Sequence, residues 1–499
     1  MTDRDLQALL SKASSLRERG RVPEAIEAYR RLLAAYPELP DSWYNLGWLL
    51  KRAGRADDAL AAYDEALARN VPEPEEVHVN RAAIYSDQLS QPRAAFEALQ
   101  EALRLNPDYL PALLNLGNLG EDVGDAGAAR NAYERALQVS PRNAIALSRL
   151  AGLGRAASID DPMIGRLQAA LEAHALPLAD EALLLFSLGR LYDSCAAYDQ
   201  AYRTMEAANE HARRAAGNAI APFDAAAESA RADAIAQAYS AAGKPTDGIA
   251  GPSPAPVFIV GMFRSGSTLL EQVLGAHSAI EAGGELDMVP RIARELGDER
   301  RAQASAPTAA IRTSAEAYLD RLRRLHPDAA LVTDKRPDNF WHVGLIRRLF
   351  PTAKIINTRR NPLDNLISVW ALFLDAAMNY SFRIEDIAGH ILAERRMMAH
   401  WNQLYPGDIL TVEYEQLVRE PEAEISRVLS FIGQPFESRC LEFHRTSKPV
   451  RTASVWQVRE PLHDRSIGRW RHYEAALRAR PKNRWLDALL AAEATARTP

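Results

Sequence analysis

Pro256-Val257-Phe258-Ile259-Val260 runs straight into Gly261-Met262-Phe263-Arg264-Ser265-Gly266-Ser267-Thr268, and Leu269-Leu270-Glu271-Gln272-Val273-Leu274 follows. The first five residues are apolar and β-forming, as a strand covered on both faces requires. The last six read as helix. Strand, glycine loop and helix in this order make an anion site: loop N–H groups and the positive end of the helix converge on a phosphate, and the hydroxyls of Ser267 and Thr268 add donors. The spacing from Gly261 to Gly266 is that of a nucleotide P-loop, which places Lys directly after its second glycine and then Ser or Thr for magnesium. Here Ser267 holds the lysine's place, and the cation stands inside the loop at Arg264. That arrangement disfavours a kinase or ATPase working on a magnesium-bridged phosphoryl group.

Working outward, Lys354-Ile355-Ile356-Asn357-Thr358 is a second strand pattern, followed by Arg359-Arg360-Asn361-Pro362. The fixed φ of Pro362 suits the first turn of a helix. Arg360 then stands at a strand's end and Ser368 two helical turns later, an arginine fork and a hydroxyl fit for a second phosphate. Between the two anchors lies Gly283-Gly284-Glu285. Glu285 is the candidate base for an acceptor proton, or else a cap for a helix over Leu286 to Glu295. Leu331-Val332-Thr333-Asp334 reads as another strand and ends at Lys335, a mobile point charge; 409–412 is a fourth. Strands alternating with helices predict a mostly parallel sheet covered by helices, with ligands at the strands' C-terminal ends.

Arg264-Ser265-Gly266-Ser267-Thr268 after a hydrophobic strand resembles the 5'-phosphosulfate loop of sulfotransferases, and the whole stretch 261–291 is similar to the tyrosylprotein sulfotransferase branch. The resemblance spans roughly residues 255 to 475. It implies 3'-phosphoadenylyl sulfate as co-substrate, no metal, and transfer of a sulfuryl group to an acceptor hydroxyl, of which tyrosine in a peptide or protein is one. It further implies that Arg264, Ser265, Gly266, Ser267 and Thr268 hold the 5' end, and that Arg360 and Ser368 hold the 3' phosphate. Glu285 falls on that branch's catalytic glutamate. Lys335 and Ser454 fall where the transferring group is stabilised, Tyr414 where a tyrosine contacts the nucleotide, and Arg469 in the slot of a phosphate-binding lysine. Asp287 and Leu372 depart from the branch, which has basic residues there.

The first half is periodic. Ala25, Ala59, Ala94 and Ala129 recur at spacings of 34, 35 and 35, and each opens a helical run. Gly20, Gly54 and Gly124 keep the same phase with Leu89 in the missing slot, and Pro37, Pro72, Pro107 and Pro141 close successive units. Turn glycines and prolines stop helices at these points. Asn45-Leu46-Gly47, Asn80-Arg81-Ala82 and Asn115-Leu116-Gly117 mark a first helix in three units, so each unit is a helical hairpin. Tyr29, Tyr63 and Tyr133 share a register in which the third unit carries Ala98. This resembles the tetratricopeptide repeat family over residues 1–150. Such hairpins share a core with their neighbours and leave a groove for a protein partner. The predicted organisation is repeats over 1–150, additional helical hairpins over 151–241, a Gly/Pro/Ser-rich linker over 242–256, and an α/β P-loop-like domain over 257–480.

A chain of 499 residues supplies two or three cores. Its net charge of -5 gives no overall positive field for nucleic acid, so any anion site must be local. Cys195 and Cys440 match no metal spacing or disulfide framework, which fits a reducing cytoplasm. Charges interrupt the apolar runs of the first twenty residues, so neither a secretory signal nor a membrane segment is expected. Two alternatives stay open at this point: an NTP-dependent P-loop kinase or ATPase with an unusual loop, and a repeat-based scaffold with an inactive catalytic half.

Overall fold

The computed structural model describes residues 3–89, 91–172, 176–240, 247–297, 302–374, 377–445, 459–481 and 483–496. They form two compact units, one ending at Gly154 and one beginning at Arg155.

The first unit is a run of antiparallel helical pairs: α1 (Asp3–Glu18), α2 (Val22–Ala35), α3 (Pro40–Arg52), α4 (Ala56–Ala68), α5 (Pro74–Ala83), α6 (Pro92–Leu105), α7 (Leu110–Val123), α8 (Ala126–Val139) and α9 (Ala144–Gly152). Ala25, Ala59 and Ala129 are fully buried, as close helix packing demands. Gly20, Gly54 and Gly124 take positive φ at helix ends, where a left-handed residue closes the last turn. In two hairpins a glycine makes room for a ring: a Cβ at Gly47 would lie 2.8 Å from the Tyr63 ring, and one at Gly117 would lie 2.2 Å from that of Tyr133.

The third hairpin departs from the periodic reading. Ala95, not Ala94, is buried, and Leu99, not Ala98, occupies the register of the tyrosines. The cause is a π-helical turn over Ile84–Gln88, which takes in one more residue than an α-turn. Gly47 to Ala59 and Gly117 to Ala129 span twelve residues, whereas Ala82 to Ala95 spans thirteen. With Leu99 in place of a ring, the glycine slot can hold Ala82, which is itself buried.

The second unit begins with four helices, α10 (Pro162–Glu172), α11 (Leu178–Ser194), α12 (Tyr198–Ala216) and α13 (Ala225–Tyr239). Tyr192 of α11, Met205 of α12 and Ile235 of α13 pack against the α/β body of the same unit, while α10 lies against α11. Ile235 and Tyr239 of α13 enter the core with Phe258 and Trp401, and the Tyr239 and Trp401 rings lie 5.4 Å apart, edge to face. Asn209 of α12 donates to the Trp370 carbonyl at 2.9 Å. The α/β body continues with β1 (Ala255–Gly261), α14 (Ser267–Gly275), β2 (Ile280–Ala282), α15 (Met288–Glu295), α16 (Ala302–Ser305), α17 (Thr308–Leu325) and β3 (Leu331–Lys335). After these come α18 (Val343–Leu349), β4 (Lys354–Arg359), α19 (Pro362–Trp370), α20 (Ile384–Leu404), β5 (Ile409–Glu413) and α21 (Tyr414–Arg419).

The five strands pair in parallel in the order β2-β3-β1-β4-β5. Val257 to Val260 are all but inaccessible, as expected of a central parallel strand. The short β2 is an element that the sequence pattern does not announce. The segment expected as a linker differs as well. Where described, it is tied to the body: Ile249 donates to the Leu349 carbonyl at 2.9 Å, and Gly251 to the Thr352 hydroxyl at 3.0 Å. A Cβ at Gly248 would stand 2.1 Å from the Arg348 carbonyl oxygen, so that glycine serves close packing rather than freedom.

Candidate active site

Because the strands are parallel, their C-terminal ends share one edge of the sheet, and each end delivers residues singled out from sequence. The loop after β1 carries Arg264 to Thr268, and the turn after β2 carries Glu285. Lys335 ends β3, Arg360 follows β4, and Tyr414 follows β5.

The β1 loop is held tightly. Gly261 has φ +134° and would press a Cβ to 2.3 Å from the Thr358 carbonyl oxygen. Gly266 has φ +102°, and its missing Cβ leaves room for Tyr414, whose Cδ2 would be only 2.8 Å away. Arg264 itself takes φ +67°, a conformation that costs a side-chain-bearing residue on the order of 1 kcal/mol and clusters at functional sites. Asn365 of α19 steadies the loop by donating to the Phe263 carbonyl at 2.9 Å. Ser267 and Thr268 open α14, whose first-turn N–H groups have no intrahelical acceptor.

Ser265 does something different from the anion contact expected of it. Its hydroxyl bonds the Thr358 hydroxyl at 2.7 Å and its N–H donates to the Met262 carbonyl at 3.1 Å. The hydroxyl ties the loop to β4, and the N–H closes a turn within the loop itself.

The two cationic anchors meet. The Nε of Arg264 donates to the Ser368 hydroxyl at 3.1 Å, so this arginine reaches across to the second anchor. Arg360 donates from Nη1 to the Arg264 carbonyl at 3.4 Å and from Nη2 to the Ser466 carbonyl at 2.5 Å. Its guanidinium carbon stands 4.8 Å from the centre of the Tyr414 ring, a cation over an aromatic face. Arg360 is buried and Arg264 partly so. Burial, then the adjoining Arg360 and Arg469 guanidiniums, push Arg264 down to about 10, and burial lowers Arg360 as well. Among the described residues the Nε of Arg360 has no hydrogen-bond partner. Crowded, sheltered cations with an unused donor suit an anion.

Behind this cluster lies a carboxylate and lysine arrangement. Lys335 is buried, its side chain 1% exposed, and it forms an ion pair with Glu285, which is 44% exposed. It is therefore not a solvated lysine at a loop edge. Glu285 does not cap the next helix, since α15 starts at Met288 with Asp287 before it. The turn bearing Glu285 is pinned by three backbone bonds: Gly283 donates to the Thr333 carbonyl at 3.1 Å, Gly284 to Glu271 at 3.0 Å, and Lys335 to the Gly284 carbonyl at 2.9 Å.

Glu271, on α14, also accepts from the Thr333 hydroxyl at 2.8 Å. Burial raises its pKa, and the neighbouring Lys335 opposes that rise. Asp334, beside Lys335, accepts from the Tyr318 hydroxyl at 2.8 Å and is pushed up to about 7 by burial. Reading by motif misses Glu271, although a single acid within the apolar run after the loop is a visible signal.

Arg469 sits among the same cations and is fixed from two sides. Asp364 of α19 accepts from the backbone N–H of Gly468 at 2.6 Å and of Trp470 at 2.9 Å. Ser454 lies outside the described residues. No group of three or more His, Cys, Asp or Glu side chains placed to hold a metal ion occurs among the described residues. Nor is any described helix long and apolar enough to cross a membrane.

Residues 256–438 match the sulfotransferase family model, and residues 10–74, 44–109 and 110–143 match tetratricopeptide repeat models. An "Uncharacterized protein" of Aquifex aeolicus is 31% identical over 399 residues, 77% of this chain and 51% of that protein. Protein-tyrosine sulfotransferase A of Caenorhabditis elegans is 25% identical over 239 residues, 43% of this chain and 60% of that one. Protein-tyrosine sulfotransferase 1 of Danio rerio is 27% identical over 243 residues, 43% of this chain and 65% of that one. The alignments thus span about half to two thirds of these relatives' lengths. A solved sulfotransferase domain from the Synechococcus PCC 7002 olefin synthase covers 50% of this chain at 22% identity with a TM-score of 0.38. The chain joins tetratricopeptide repeats to a domain of the sulfotransferase family.

Proposed function

We propose that the second unit transfers a sulfuryl group from 3'-phosphoadenylyl sulfate to the hydroxyl of an acceptor, with tyrosine in a peptide or protein as that acceptor. The observation that carries this reading is the pair of sheltered guanidiniums, Arg264 bonded to Ser368 and the buried Arg360 bonded to the Arg264 carbonyl, beside the first turn of α14. A single adenosine carrier with phosphates at both its 5' and 3' positions fits such a pair, and the free Nε of Arg360 supplies a donor to it.

In this reading the loop amides and Arg264 hold the phosphosulfate, Arg360 and Ser368 hold the 3' phosphate, and Tyr414 packs against the nucleotide. Glu285 takes the acceptor proton as its oxygen attacks sulfur. The bond from sulfur to the bridging oxygen breaks, and adenosine 3',5'-bisphosphate leaves with the electron pair. Lys335 and Ser454 balance the charge gathering on that bridging oxygen. No step calls for a metal. The exposed carboxylate of Glu285, held on the buried Lys335, is placed to meet an acceptor from solvent. The repeats supply the surface that brings a protein acceptor or partner, and the free thiols Cys195 and Cys440 accord with work in the cytoplasm.

Titration calorimetry with adenosine 3',5'-bisphosphate tests the carrier site. Tight binding in the wild type, weakened at least tenfold by Arg360→Ala, is expected. Glu285→Gln should bind as well as wild type yet lose sulfate transfer to a tyrosine-containing peptide library. Binding of magnesium ATP in preference to the bisphosphate, or unchanged transfer by Glu285→Gln, overturns the assignment.

A further inference from the structure

One carboxylate from the helical segment ahead of the sheet reaches the cation cluster. Asp193, in the last turn of α11, accepts from Nε of Arg469 at 3.2 Å through Oδ1 and pairs with Nη2 at 3.1 Å through Oδ2. The Tyr473 hydroxyl donates to the same Oδ1. The two charged side chains are 18% and 24% exposed, so the fork is largely sheltered from water. With its backbone fixed by Asp364 and its guanidinium fixed by Asp193, Arg469 has little freedom left. The carboxylate covers the Nε–Nη2 edge and leaves Nη1 to reach an anion.

A second arginine of the same helix supports the placement. Arg190 is one turn before Asp193, and burial together with the nearby Arg155 brings it down to about 10, with Arg469 also acting on it. Burial alone would lower Arg469 too, but Asp193 and Tyr473 override this and raise it. One acid therefore holds the guanidinium in place within a crowd of like charges.

We propose that α11 is a wall of the donor pocket, and that Asp193 is a positioning residue which orients Arg469 toward the donor's phosphates. The inference rests on the carrier reading above. It gives the helices between the repeats and the sheet a task, since they supply a part of the site that the sheet lacks.

The sign of the effect separates this role from simple electrostatics. Deleting an acid makes the pocket more positive, and charge alone would then tighten anion binding. Loss of orientation weakens it. Calorimetry with adenosine 3',5'-bisphosphate should show Asp193→Ala binding about tenfold more weakly than wild type, and Asp193→Asn, which keeps one acceptor oxygen, in between. In an Arg469→Ala background, Asp193→Ala should cause no further loss, because its action passes through that guanidinium.

Unchanged or tighter binding in Asp193→Ala, or a further loss in the Arg469→Ala background, overturns the proposal. Should Asp193→Ala fold poorly, Tyr473→Phe, which removes one hydrogen bond to the same carboxylate, should still weaken binding severalfold, and no change there counts against it. If wild type binds no bisphosphate while keeping its fold, the carrier reading itself has failed, and this inference falls with it.

Discussion

Gly117 in the repeat unit and Gly261 in the α/β unit both lack room for a Cβ, but what crowds them differs. At Gly117 the obstacle is the Tyr133 ring, a side chain; at Gly261 it is the Thr358 carbonyl oxygen, part of the neighbouring strand, and the backbone is left-handed besides. A side chain can be traded for a smaller one, and the third hairpin, with Ala82 and Leu99, already has the traded combination. A strand's backbone offers no such exchange. The buried polar inventory follows the same division. The repeats bury mainly Ala, Leu and Tyr, whereas the α/β unit buries Lys335, Asp334 and Arg360 at its strand ends and Glu271 on α14. The repeat unit is therefore sensitive to volume, and the α/β unit to charge.

The largest effect expected from that contrast is at Lys335. Lys335→Met removes the cation that faces Glu271 and Glu285 and leaves Glu271 buried without its counter-charge. Breaking such a pair costs about 3–5 kcal/mol, and a lower denaturation midpoint of the α/β unit would register it. Adding Glu271→Gln should recover part of the loss. A fully stable Lys335→Met would break the claim that this unit depends on charge.

Gly117→Ala comes next, with overpacking against Tyr133 costing about 2 kcal/mol. The matching Tyr133→Leu change should restore much of it, in imitation of the third hairpin, and urea unfolding of the double variant measures the coupling. Bisphosphate binding should not move in either variant.

The third effect, at Asp334, depends on pH. Its folded pKa of about 7 lies above the ordinary 3.8, so the native state holds the proton more tightly than the unfolded chain does. The stability this group contributes is complete below its unfolded value and is lost as pH climbs through 7. Asp334→Asn should accordingly be more stable than wild type at pH 8, by about 1–3 kcal/mol, with the difference vanishing near pH 4. Thermal melts across that range check the sign.

How much of this is readable in sequence depends on how far apart the partners lie. The repeats are legible because their contacts are local and recur, and strands β1, β3, β4 and β5 are legible because each is a short apolar run beside a loop rich in Gly, Asn or Pro. Arg264, Lys335 and Arg360 could be singled out since each follows or ends such a run, and Glu285 by its place after Gly283-Gly284. The supports of the site could not. Asp193 and Arg469 are 276 positions apart, and Glu271 meets Thr333 across 62; no local pattern links either pair. Ser265 shows the opposite failure. Its place in the motif is plain, but its hydroxyl is claimed by Thr358, a neighbour that only sheet register brings near.

The π-turn at Ile84–Gln88 carries a lesson of its own. An added residue in a solenoid ordinarily goes into a connecting turn, where it leaves the clockwork of the helices untouched. Here it is swallowed within a helical rod, which advances every later side chain of that rod by roughly a quarter revolution. The facing helix α6 meets that rod with residues one position later, Ala95 and Leu99, so the lock between facing helices, and not the tally of residues, sets which side chains pair.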